Sequence, residues 1–161
     1  KVKIKNKEQK IYEINVEPGS KTLIAKAFDF DDSLVDLDLY VFDCTKKECE
    51  PAKVDADPID QESIYIHDPK PGKWKVVIDA FSINGDSTEF SYLDVIYNPM
   101  YGSLNVLDLP QKRVVNSKWI IKTNPWESGT FPTGRYPYKS LYVNSSMKDD
   151  VIPIDFILID D

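Results

Sequence analysis

Eleven prolines run through the chain from Pro18 to Pro153, and only five alanines accompany them. A proline inside a helix removes a hydrogen bond and clashes with the preceding turn, which costs about 3 kcal/mol or more. Few windows remain for a stable helix, so strands must carry the fold. The period of two that strands require is present. Tyr12, Ile14 and Val16 alternate with Ile11, Glu13 and Asn15. Leu37, Leu39 and Val41 alternate with Asp36, Asp38, Tyr40 and Phe42, and Trp74, Val76, Ile78 and Ala80 with Lys75, Val77, Asp79 and Phe81. Further strands are expected at about 22–29, 63–67, 88–97, 103–107, 118–123, 140–144 and 154–159. Turn residues separate them at Pro18-Gly19, Pro69 to Gly72, Asn84-Gly85-Asp86, Asn98-Pro99 and Pro132 to Gly134. Short strands at this rhythm predict an all-β chain, an antiparallel jelly-roll β-sandwich through residue 98 followed by a small second β module over 99–161, which either packs with the first as one body or stands as a second domain. At the start, Lys1, Lys3 and Lys5 alternate with Val2 and Ile4, a lysine row of the kind that blocks edge-to-edge pairing.

With 161 residues, 42% of them hydrophobic and 29% charged, the chain has enough apolar side chains for a core. Twenty basic and 27 acidic side chains give a net charge of -7, which repels nucleic acid and anionic membrane and favours cations. The longest apolar runs, such as Phe156 to Ile159, fall far short of the ~20 residues that span a bilayer. The chain carries no G-x-S-x-G elbow, H-E-x-x-H, P-loop or G-x-G-x-x-G, and His67 is its only histidine, without a recognisable nucleophile partner. It is therefore expected to be noncatalytic.

The two cysteines, Cys44 and Cys49, share one short segment. Their spacing is not that of a CxxC redox pair, and one histidine with two thiolates does not complete a zinc site. A local disulfide is expected, with two free thiols as the alternative. Closing so small a loop contributes roughly 2 kcal/mol in the entropic model and points to an oxidising, extracellular compartment.

Three segments, Asp36-Leu-Asp-Leu-Tyr-Val-Phe-Asp43, Glu62-Ser-Ile-Tyr-Ile66 and Pro69-Lys-Pro-Gly-Lys-Trp-Lys-Val-Val-Ile-Asp79, resemble in order the pattern of bacterial pre-peptidase C-terminal domains, over roughly 10–98. Such domains follow the catalytic domain of many secreted subtilisin-like serine proteases. The segment Cys44 to Cys49 departs from the short bend usual there. The resemblance implies a noncatalytic C-terminal module that stabilises its parent or aids binding of protein substrate, with the protease domain of the same chain as partner.

Cation chemistry is the remaining signal. Asp29, Asp31, Asp32, Asp36, Asp38 and Asp43 crowd one stretch, and a hard cation such as calcium takes six to eight oxygens at about 2.3–2.6 Å. On a strand Asp36 and Asp38 share a face, so with Asp31 and Asp32 in the preceding turn they are the expected calcium ligands. The resemblance adds that related jelly rolls often hold calcium near this strand. A second constellation, Trp126, Phe131, Tyr136 and Tyr138, lies among glycines and prolines. Rings on a loop stack on sugar faces or anchor a partner, so a carbohydrate-binding or adhesive module is the alternative reading.

Overall fold

A computed structural model describes residues 1–30, 35–58, 61–101 and 107, together with the backbone of the strands at 102–103, 127–128, 138–144 and 151–157. The chain divides into two compact units, Lys1–Asn98 and Pro99–Asp161. In the first, eight strands follow one another: β1 (Val2–Lys5), β2 (Gln9–Val16), β3 (Thr22–Phe28), β4 (Asp36–Asp43), β5 (Glu50–Asp55), β6 (Glu62–His67), β7 (Gly72–Ser82) and β8 (Ser87–Tyr97). They form two antiparallel four-stranded sheets, ordered β1-β8-β3-β6 and β2-β7-β4-β5. That interleaved order, with the first and last strands side by side, is the jelly-roll arrangement.

Alternation decides what lies between the sheets. Leu37, Leu39 and Val41 of β4 and Trp74, Val76 and Ile78 of β7 are buried, and they meet Leu23, Ala25 and Ala27 of β3, Ile64 of β6 and Phe90 of β8 in one core. Each large side chain there contributes about 1.5–3 kcal/mol by leaving water. The opposite phase is uneven. Ile11 of β2 is 56% exposed and Val54 of β5 is 54% exposed, because both lie on the solvent face of the second sheet. Glycine serves the turns where φ is positive, as at Gly19 (85°) between β2 and β3 and Gly85 (98°) between β7 and β8. The β2–β3 turn is closed from a distance. Buried Asn98 donates to the Pro18 carbonyl at 3.0 Å and to Ser20 Oγ at 3.2 Å.

In the second unit, β9 (Gly102–Ser103) pairs antiparallel with β10 (Glu127–Ser128), and β11 (Tyr138–Asn144) with β12 (Val151–Ile157). The strand expected at 118–123 lies outside the described residues.

Candidate functional site

Strand β4 carries the acidic residues that the sequence singles out. Because Leu37, Leu39 and Val41 point inward, Asp36, Asp38 and Tyr40 take the outer face of the sheet, and Asp38 stands opposite Asp79 of β7. Asp38 is nevertheless only 8% exposed. Its Oδ2 accepts a 2.9 Å hydrogen bond from the Tyr40 hydroxyl. That bond, then burial and the charges of Asp38 and Asp79, push the Tyr40 phenol up to about 12. Burial first, and the charge of Asp38 second, raise the Asp36 carboxyl above its ordinary value. The structure thus brings Asp36 and Asp38 to one face, while Asp31 and Asp32 lie outside the described residues. Among the described residues no group of three or more histidine, cysteine, aspartate or glutamate side chains is arranged to hold a metal.

A carboxyl group that sequence reasoning missed sits at the margin of the core. Glu62 opens β6 in phase with Ile64, opposite Ala27 of β3, and is 1% exposed. No donor reaches either carboxyl oxygen. Burial, then the charge and side chain of Asp55, then Asp57 and Asp38, push it up to about 8. Asp55 can only accept when ionised, and its Oδ2 already accepts the Ser63 N–H at 2.9 Å. A hydrogen bond between the two carboxyls therefore requires the proton on Glu62. The signal was present in the sequence, because alternation in Glu62-Ser-Ile-Tyr-Ile66 places the acid on the core face.

The cysteines are bonded, Cys44 to Cys49. Several contacts fix the loop they close. The Cys44 N–H donates to the Lys73 carbonyl at 3.0 Å. The Thr45 N–H and hydroxyl donate to Asp43 Oδ1 at 2.9 and 2.6 Å, and Lys70 Nζ donates to Asp43 Oδ2 at 3.1 Å. The bonds from Thr45, with Lys70 a smaller cause, hold the Asp43 carboxyl down at about 2. Trp74 Nε1 donates to the Lys70 carbonyl at 2.9 Å, which ties the Pro69-to-Gly72 turn to β7.

His67 is exposed at the end of β6. Of the aromatic constellation, Trp126, Phe131 and Tyr136 lie outside the described residues, and Tyr138 begins β11 with its backbone opposite Ile157.

These features define an antiparallel β-sandwich with a local disulfide, and among the described residues no helix is long and apolar enough to cross a membrane. The chain matches none of the family models and none of the curated proteins with which it was compared.

Proposed function

We propose that the chain is a noncatalytic β-sandwich module of a secreted subtilisin-like serine protease, which stabilises the parent or aids its binding of protein substrate. The observation that carries this reading is the ordered resemblance over 10–98 to pre-peptidase C-terminal domains. Its two strongest segments fall on neighbouring strands of one sheet, Asp36–Asp43 on β4 and Pro69 to Asp79 on the turn and strand of β7. The disulfide supports an oxidising, extracellular setting. Calcium belongs to the same proposal, with Asp36 and Asp38 contributing two carboxylates from one face and Asp31 and Asp32 supplying others. Burial, and after it the charge of Asp38, raise Asp36, and a bound cation would offset both.

Reading the coding sequence on the N-terminal side of Lys1 tests the parentage. A subtilase catalytic domain there supports the proposal, and a glycanase or adhesin in its place overturns it in favour of the carbohydrate-binding alternative. Assaying the purified chain on casein and a glycan panel tests the noncatalytic role. Turnover that survives purification and vanishes on a single substitution would refute that role.

A further inference from the structure

One pocket gathers positive charge in a protein whose net charge is -7. Lys46 and Lys47 on the disulfide loop and Lys73 and Lys75 on β7 line an open cavity of about 240 Å³, with Trp74, the Cys44–Cys49 bridge and a single acid, Glu13. Trp74 points inward, so Lys73 and Lys75 share the outer face of β7, about 7 Å apart along the strand. Lys46 pairs with Glu50 at 3.1 Å. Lys47, Lys73 and Lys75 have no acid within ion-pair distance among the described residues. At physiological salt the Debye length is about 8 Å, so an anion at the pocket responds chiefly to the charges around it, four ammonium groups against Glu13 and the Glu50 paired with Lys46, and less to the net charge.

The cluster is also held in place before any ligand arrives. The disulfide closes the loop, and the Cys44 N–H anchors it to the Lys73 carbonyl. The loop lies so close to β7 that a Cβ on Gly72 would meet Thr45 Cγ2 at 3.1 Å. A ligand therefore spends little ordering the backbone that presents the lysines.

We propose that this pocket binds the sulfate groups of an acidic polysaccharide, independently of which enzyme or scaffold the module is attached to. Three observations favour that class. Strand β7 is hydrogen-bonded on both sides, by β2 and β4, and leaves no backbone edge on which a peptide strand could add. Trp74 is 4% exposed, so the pocket lacks the open aromatic platform on which nucleic acid bases stack. Lysines act as point charges without the bidentate fork of arginine, which suits sulfate groups approaching in varied orientations along a repeating chain.

Titration of the full 161-residue chain with a fluorescent heparin decasaccharide tests the proposal. Binding is expected at 50 mM NaCl and should weaken about 40-fold by 200 mM, the salt response of three released counterions. K73Q/K75Q and, separately, K46Q/K47Q should each weaken binding at least tenfold while melting like the wild type. K3Q/K5Q, which removes the lysine row of β1, should bind normally. Absence of binding at 50 mM NaCl would overturn the site, as would unchanged affinity in both pocket variants or a larger loss in K3Q/K5Q. Equal or tighter binding of poly-L-glutamate or of a thymidine 20-mer would overturn the ligand class.

Discussion

Replacing Glu62 by glutamine should abolish a loss of stability that the wild-type chain suffers as pH rises through neutrality. In the fold the Glu62 carboxyl is pushed from its ordinary 4.5 up to about 8, chiefly by burial and then by Asp55. Below pH 4.5 both folded and unfolded chains hold this proton and the contribution to stability is complete. Between 4.5 and 8 the unfolded chain has released the proton while the folded chain keeps it, so each rise in pH favours unfolding. The full difference is worth up to about 5 kcal/mol at 1.36 kcal/mol per pH unit, and about 3 kcal/mol of it falls between pH 5.5 and 8.5. For a small domain that is a large share of a total near 5–15 kcal/mol. Glutamine fills the same volume, never ionises, and can donate an N–H to Asp55 in place of the carboxyl proton. Urea denaturation at intervals from pH 5.5 to 8.5 is the assay. The variant should be about 1 kcal/mol the more stable at pH 5.5, and its lead should grow by roughly 3 kcal/mol to between 4 and 5 kcal/mol at about pH 8.5. Wild-type stability that stays flat or rises across this window would refute the reasoning, and so would a parallel decline in the variant.

Chain entropy predicts that C44A/C49A loses about 2 kcal/mol, and intact mass before and after reduction should change by the two hydrogens of one bond. Gly72→Ala should cost about 1–2 kcal/mol in chemical denaturation, because φ there is 130° and the added methyl would press on Thr45. If Asp36 and Asp38 help hold calcium, calcium at 100 times its Kd should add about 2.7 kcal/mol. The melting temperature should then rise by several degrees beyond sodium at matched ionic strength, and Asp38→Asn should abolish that difference. Equal responses to calcium and sodium would count against the site.

Much of the sandwich is written in local pattern. Strands β2, β4 and β7 alternate because one face of each meets the core, and the Pro-Gly and Asn-Gly pairs mark turns that need a positive φ at Gly19 and Gly85. Strand β5 gave no such signal. Its residues Glu50 to Val54 are all exposed and it includes Pro51, so no buried stripe marks it, and only the ladder to β4 at the sheet edge makes it a strand. Ile11 is apolar, but its phase with Glu13 and Asn15 places it on the solvent face, where it lies. The shared face of Asp36 and Asp38 follows from the period of two, and the proximity of the cysteines from their spacing. The environment of Glu62 does not. Its phase was legible, but the charges that raise it come from β4, β5 and the segment after β5, which only the folded chain brings together. The lysine pocket is hidden likewise, because its two pairs are separated by 26 positions in sequence and meet through the anchoring of the loop on β7.

The strand order also governs when the first unit can fold. Strand β1 pairs with β8, Val2 opposite Phe90, and β2 pairs with β7, Gln9 opposite Asp79, so each pairing closes a loop of most of the unit. Loop closure must be met before the contacts that reward it, which places such a topology among domains that fold in milliseconds to seconds. During synthesis at about 5–20 residues per second, β1 and β2 wait several seconds for their partners to be made. Over that interval the apolar residues of β2 have no sheet to join, and the lysines at positions 1, 3 and 5 keep the waiting N-terminal segment charged. Assembly of this sandwich is accordingly a late event, set by the emergence of β7 and β8 from the ribosome.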